Sequence, residues 1–71
     1  MNIEQKRQAL GKRIRAVREE QGLSQSQLAL MIGSSKSHIW RTETGRVGVG
    51  IDDLGRIADA LGSPVRDLLT F

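Results

Sequence analysis

Cysteine is absent from this chain of 71 residues, and histidine, proline and tryptophan each occur once. Without cysteine there is neither a disulfide nor a zinc–thiolate site. A single histidine also leaves no nucleophile–base pair for catalysis and no second imidazole for a metal ion. The glycines within residues 46–50 do not make a phosphate-binding loop, because neither a lysine nor a strand accompanies them. We therefore expect no enzymatic activity, no cofactor and no metal.

Long apolar runs are absent as well. No stretch approaches the length of a membrane span, and residues 1–11 lack the apolar segment of a signal peptide. We expect a cytoplasmic protein that makes no contact with a membrane. The chain is also near the lower size limit for a hydrophobic core without covalent staples, so dimerisation is the remaining common source of stability.

The net charge of +3 is unevenly distributed along the chain. Residues 1–22 carry six basic and three acidic side chains, and residues 23–46 carry three basic and one acidic side chain. Residues 47–71 reverse the balance, with two basic and four acidic side chains. This polarity favours an anionic partner on one side of the domain, although a solvated basic surface explains the charge alone equally well.

The spacing of apolar residues predicts an all-α domain of five helices, since no strand pattern survives the glycines. The predicted helices span residues 3–21, about 25–32, about 36–44, 51–61 and a short segment opened by Ser63 and Pro64. Inward-facing residues are expected to include Ile3, Leu10, Ile14 and Val17 in the first helix and Ile51, Leu54, Ile57, Ala58 and Leu61 in the fourth. Pro64 is expected at the first helical position of the last helix. Gly11 marks either a close helix–helix approach or a late start of the first helix, and we favour one continuous helix with a frayed start.

Residues 23–46 have the pattern of two short helices joined by a glycine turn. Ser24 and Gln27 form a capping-box pattern at the start of the first of these helices. Gly33 stands at the turn and Gly45 at the C-terminal cap, where a residue without a Cβ is favoured. Two short helices with a tight turn between them make a helix-turn-helix, whose second helix can enter the major groove of DNA.

Three segments carry a more specific signal: LGKRIRAVREEQGLSQSQLA, IGSSKSHIWRTETGR and LGRIADALGSPVRDLL. Together they resemble the lambda-repressor/Cro (XRE) family of helix-turn-helix DNA-binding domains, over roughly residues 9–70. Gly-Leu-Ser-Gln before the second helix, Glu-x-Gly closing the third and Ala-x-Ala-Leu-Gly closing the fourth are specific in combination, whereas each alone is weak. The resemblance implies a compact five-helix lambda-repressor-like domain that binds double-stranded DNA.

The outer face of the third helix is the predicted site of base recognition. With Ile39 and Thr42 inward, steps of about 100° per residue place the following side chains outward: Lys36, Ser37, Trp40 and Arg41. Lysine and arginine donate to guanine O6 and N7, and a serine hydroxyl donates or accepts. In the resembled family the residues at the positions of Lys36, Ser37 and Arg41 reach base edges, so we expect these three to read the bases. The alternative is an ordinary polar helix surface.

Contacts to DNA phosphates are expected beside that helix. Gln25 combines a side-chain amide with backbone N–H groups at the positive end of the second helix, and the resembled family uses a glutamine at this position to hold the DNA backbone. Arg46, in the glycine-rich loop, is the second candidate. Ser34 and Ser35 are weaker candidates, because capping alone explains a serine at a helix start. His38 is expected on the helix surface near the DNA.

The resemblance also implies a structural ion pair between Arg18, at the end of the first helix, and Glu43, at the end of the third. A partly buried charge persists only when it is paired, so this contact would fix the third helix relative to the first. The alternative is two unrelated surface charges.

The C-terminal end predicts a homodimer. Leu68, Leu69 and Phe71 provide more apolar surface than the last turn of a monomer can easily bury. Symmetric dimers that read two half-sites are the usual arrangement of this motif. The alternative is a monomer that places Phe71 in its own core.

Two functions are compatible with these patterns. The first is a sequence-specific, double-stranded DNA-binding regulator of transcription, associated with the nucleoid and of the Cro-like, restriction–modification controller or antitoxin type. In the second, the same fold is a protein-interaction module whose partner contacts Leu30, Met31 and Trp40, which fall outside the core stripes. The positive field around the third helix favours the first function.

Overall fold

Five helices and no strand make up the computed structural model, which describes residues 1–71. The helices are α1 (Ile3–Glu20), α2 (Gln25–Met31), α3 (Lys36–Glu43), α4 (Ile51–Leu61) and α5 (Val65–Leu68). The predicted all-α, five-helix architecture is therefore confirmed. None of the helices combines the length and the apolar character that crossing a bilayer requires.

Polar side chains define where the first helices begin. Asn2 and Gln5 form a reciprocal capping box on α1, with the Gln5 N–H donating to Asn2 Oδ1 over 2.8 Å. α1 is thus one continuous helix, as predicted, but its start is capped where fraying was expected. Ser24 and Gln27 form the capping box predicted for α2. Pro64 is the N-cap of α5 and not its first helical residue.

A single hydrophobic core joins all five helices. α3 packs against α1 and α2, α4 packs against α2, and α5 closes the ring by contacting α4 and α1. Each helix contributes at least one fully buried large apolar side chain: Ile14, Leu28, Ile39, Ile57, Leu61 and Leu68. The core thereby fixes one face of α3 inside the domain and leaves the opposite face in solvent.

Two residues predicted to face inward do not. Ile3 is 63% exposed and Ile51 is 75% exposed. Each lies on the same face of its helix as the core residues, but at the very start of that helix: Ile3 is the first residue of α1, and Ile51 is the first residue of α4. Periodicity determines the face of a helix on which a residue lies, but not whether another element covers that face at the helix end.

Gly11 allows a close contact between α1 and α3. A Cβ at this position would lie 2.5 Å from the carbonyl oxygens of both Thr42 and Glu43. Real Cβ atoms do not approach backbone oxygens so closely, and the backbone of α3 cannot move aside as a flexible side chain could. The C-terminal end of α3 therefore rests directly on α1 at Gly11, which is the first of the two explanations the sequence offered for this glycine.

We predict that Gly11→Ala lowers the free energy of unfolding by about 2 kcal/mol, because overpacking against backbone exceeds the gain in helix propensity of about 1 kcal/mol. Gly55→Ala is the matched control, since Gly55 also lies within a helix but a Cβ there meets no atom within 4 Å. That control should be more stable than the parent chain by about 1 kcal/mol. Urea unfolding measures both changes. Equal shifts for the two variants would contradict the close contact at Gly11.

Candidate nucleic-acid interface

The turn between α2 and α3 is closed by backbone and capping hydrogen bonds. Gly33 adopts a left-handed conformation with φ +67°, and the Ser34 N–H donates to the Ala29 carbonyl over 2.8 Å. The Ser35 hydroxyl accepts from the His38 N–H over 3.1 Å and so caps α3. Ser35 therefore has a structural role whatever else it contacts, whereas the exposed side chain of Ser34 makes no hydrogen bond within the chain.

Arg18 and Glu43, which the family resemblance pairs, lie in direct contact. Arg18 Nε donates to Glu43 Oε2 over 2.6 Å, and Arg18 Nη2 donates to Glu43 Oε1 over 2.9 Å. The third donor position of the guanidinium, Nη1, donates to the Leu23 carbonyl over 2.7 Å. Gln25 Nε2 donates to Glu43 Oε1 over 3.1 Å. One network thus joins the end of α1, the start of α2 and the end of α3.

The ion pair between Arg18 and Glu43 is buried, and burial affects the pKa of Arg18. The side chain of Arg18 is 9% exposed and that of Glu43 is 1% exposed. The hydrogen bond to Glu43 raises the pKa of Arg18 above its usual range, against the opposing effect of desolvation. A cation whose pKa is raised by folding contributes stability below its unfolded pKa and loses it only as the pH rises through the folded value. For an arginine this loss lies at strongly alkaline pH, so the pair persists at neutral pH.

The outer face of α3 carries the three residues predicted to read bases. Lys36, Ser37 and Arg41 are all exposed, and none of them forms an ion pair. Ile39 and Thr42 are buried on the opposite side of the helix, as the pattern predicted. Three hydrogen-bond donors therefore project from one helix face with no partner inside the protein, which is the chemistry that base edges in a major groove require.

Trp40 and Arg46 extend this face towards the loop after α3. The guanidinium carbon of Arg46 lies 4.8 Å from the centroid of the Trp40 ring, in a cation–π contact. Trp40 is 44% exposed, so the stack is part of the surface and not of the core. Sequence reasoning placed both residues on this side but missed the contact, which depends on the course of the loop.

Two predicted DNA-side residues have intramolecular partners. His38 Nε2 lies 2.7 Å from Asp53 Oδ2 of α4, within hydrogen-bond distance. His38 is half-buried and ties α3 to α4, a contact that the expected surface position did not include. Gln25 is half-buried and directs one amide N–H to Glu43, which leaves its second N–H for a phosphate. Neither partner is close in sequence, and for this reason spacing did not indicate them.

The predicted dimer residues divide into two groups. Leu68 is fully buried within the monomer, where it packs into the common core, so its assignment to a dimer interface is wrong. The short α5 turns Leu68 inward because it follows directly on α4 and packs back on α1. Leu69 and Phe71 remain 42% and 50% exposed.

The three residues of the alternative protein-interaction surface are all exposed, with Leu30 at 83% and Met31 at 53%. Met31 lines a groove beside α4 together with Arg56 and Asp59. Trp40 instead lies beneath Arg46. Met31 and Trp40 therefore have different surroundings and do not form one groove. No group of three or more histidine, cysteine, aspartate or glutamate side chains is arranged to hold a metal ion.

Comparison with known proteins agrees with this geometry. The sequence profile described as a helix-turn-helix domain matches residues 9–70. The restriction-modification controller protein C.AhdI from Aeromonas hydrophila is 33% identical, with a TM-score of 0.83 over 86% of this chain and 92% of the controller. The clp gene regulator ClgR from C. glutamicum is also 33% identical, with a TM-score of 0.85 over 89% of this chain and 82% of ClgR.

A further solved structure, the hypothetical transcription factor NHTF from Neisseria, is 26% identical, with a TM-score of 0.87 over 97% of this chain and 79% of that protein. The curated proteins include no significant match. The chain belongs to the helix-turn-helix domain family. It is a DNA-binding transcriptional regulator, and the resemblance to the XRE family is confirmed.

We predict that Glu43→Ala lowers the free energy of unfolding by about 3 kcal/mol, because it leaves the buried Arg18 guanidinium without its carboxylate. The matched control is Glu19→Ala. Glu19 pairs with Arg15 over 3.2 Å, but both side chains are more than half exposed, and such a pair contributes less than about 1 kcal/mol. Thermal and urea unfolding measure both changes. If the two variants are equally stable, Glu43 does not hold α3 in the way described.

Proposed function

We propose that this regulator is sequence-specific: α3 enters the major groove of double-stranded DNA, and Lys36, Ser37 and Arg41 read base edges. The observation that carries the proposal is the set of three exposed donors on α3 that have no partner inside the protein. Arginine and lysine recognise guanine O6 and N7, and serine accepts or donates to several bases. The regulator acts in the cytoplasm, on DNA of the nucleoid.

Phosphate contacts position α3 in the groove. Gln25, through its remaining amide N–H and the backbone N–H groups at the start of α2, contacts the DNA backbone on one side. Arg46, held on Trp40, contacts it on the other side. Ser34 is exposed beside the start of α3 and provides a further hydroxyl. Such contacts fix the orientation of the protein on the duplex and carry no sequence information themselves.

The test is selection of a preferred duplex from a random pool, followed by fluorescence anisotropy with that duplex and with a shuffled one at two salt concentrations. The proposal expects the selected duplex to bind roughly 10³-fold or more tightly than the shuffled one. Affinity for both should fall as salt rises, because phosphate contacts release counterions. Equal affinity for the two duplexes would contradict sequence-specific binding.

Arg41→Ala should weaken binding to the selected duplex by about 1–3 kcal/mol and relax the preference at one base position, since a lost base contact affects the correct base most. Arg56→Ala removes the same charge from the exposed surface of α4 and serves as control. It should leave the ratio of selected to shuffled affinity unchanged. Anisotropy measures both ratios, and a similar loss of ratio for the two variants would show that Arg41 acts only through its charge.

We also propose a homodimer formed through the exposed C-terminal residues Leu69 and Phe71. The two-fold arrangement would place one α3 in each of two half-sites about one helical turn apart. Sedimentation equilibrium at micromolar concentrations should give twice the mass of the chain, and Phe71→Ser should shift the equilibrium towards monomer because it removes apolar surface from the interface. Ile3→Ser, which changes another exposed apolar residue far from the C-terminus in sequence, is the control. A monomer with and without DNA would contradict the proposal.

A further inference from the structure

A polar groove separates the first turns of α1 from the loop that follows α3. No apolar side chain lines it, and its walls are formed by Glu4, Arg7, Gln8, Thr44, Gly45 and Arg46. Residues 3–8 precede the part of the chain that matches the helix-turn-helix profile, which begins at residue 9. The groove is therefore built partly by an extension of α1 that the family match does not include.

Two glycines of the loop allow this extension of α1 to lie close to the loop backbone. A Cβ on Gly45 would lie 2.9 Å from the backbone nitrogen and the Cα of Gln8. A Cβ on Gly48 would lie 3.3 Å from Arg7 Nη2 and 3.4 Å from Arg7 Nε. The absence of side chains on these glycines lets the backbone of α1 approach the loop and lets the Arg7 guanidinium lie over Gly48.

The charges in the groove are unbalanced. Neither Arg7 nor Arg46 has a carboxylate within the 4.0 Å of an ion pair. Glu4 is the one acidic side chain in the wall, and it pairs with neither arginine. With two guanidinium groups and one carboxylate, the groove carries a net positive charge, which favours a bound anion.

The groove also borders the outer face of α3, which carries the residues predicted to read bases. Arg46 lies over Trp40, which is exposed on the same side of α3 as Ser37 and Arg41. A helix inserted in a major groove is flanked by the phosphates of the two strands, and elements beside its end meet those phosphates. A guanidinium fork matches the geometry of phosphate oxygens and can donate two hydrogen bonds to them.

We propose that Arg7 and Arg46 together bind one backbone phosphate of the DNA beside the C-terminal end of α3, so that the α1 extension enlarges the DNA footprint beyond the helix-turn-helix. This inference rests on the proposed function, because it assumes that α3 lies in the major groove. Arg7 is a phosphate-positioning residue and reads no base. Its contribution is affinity that depends on salt and not on sequence.

The test compares Arg7→Gln with Lys6→Gln by anisotropy over a series of chloride concentrations, on the selected and the shuffled duplex. Lys6 is the neighbouring residue, also exposed and of the same charge, but it does not line the groove. Arg7→Gln should reduce the slope of log affinity against log salt by up to about 0.9, the value of one whole phosphate contact. It should weaken both duplexes by a similar factor, and Lys6→Gln should leave the slope within error of the parent chain.

Equal slopes for the two variants would overturn the inference, since a general electrostatic field does not distinguish neighbouring charges. Both side chains are exposed, and circular dichroism with a thermal melt checks that the variants remain folded. A parent chain that does not prefer the selected duplex overturns the proposed function as well. A parent chain that does prefer it, together with equal slopes for the two variants, overturns only the role of Arg7.

A double variant tests whether the two arginines share one phosphate. If they do, Arg7→Gln combined with Arg46→Gln should weaken binding by less than the product of the two separate factors. Separate phosphates would give the full product and overturn the shared site. The melting temperature is also compared in inorganic phosphate and in chloride of equal ionic strength. A rise in phosphate that is lost in Arg7→Gln would support a phosphate site at the groove, and the salt slopes on the two duplexes then decide whether a DNA phosphate occupies it.

Discussion

The buried contact between Arg18 and Glu43 determines where α3 lies relative to the rest of the domain. Glu43 is the last residue of α3, and its carboxylate accepts two hydrogen bonds from Arg18 and one from Gln25. Removing two charges from water is costly, and only close geometry with several donors offsets that cost. The backbone of the same residue packs on Gly11. Side chain and main chain therefore fix the same end of α3.

The beginning of α3 is fixed by other means, and the two ends together leave only one face available. Ser35 caps the helix, and His38 ties its first turn to Asp53 of α4. Ile39 is fully buried beneath. A helix held at both ends and along one side keeps the backbone that carries its outer donors in a defined position, which lowers the conformational cost of inserting it into a groove. The rigidity of the support is thus the physical basis of the recognition we propose.

The sequence predicted the helices, the N-caps of α2 and α3 and the inward face of α3, because these depend on local pattern. It was wrong at Ile3 and Ile51, since periodicity does not show where the opposing element ends. It was wrong at Leu68 for a related reason: whether that residue is exposed depends on the packing of α5 on α1, which lies far away in the chain. The contact between His38 and Asp53 of α4 was likewise not indicated by any local pattern. The pairing of Arg18 with Glu43 was implied by the family resemblance and not by spacing. The groove between Arg7 and Arg46 depends on the course of the glycine loop, which no pattern in the sequence specifies.

Methylation by dimethyl sulfate tests the insertion of α3 most directly. The reagent modifies guanine N7, which lies in the major groove, and adenine N3, which lies in the minor groove. On the selected duplex bound by the protein, the account predicts that guanine N7 is protected at the recognised positions and that adenine N3 remains reactive. Unchanged reactivity at guanine N7, or protection at adenine N3 alone, would contradict the placement of α3 in the major groove.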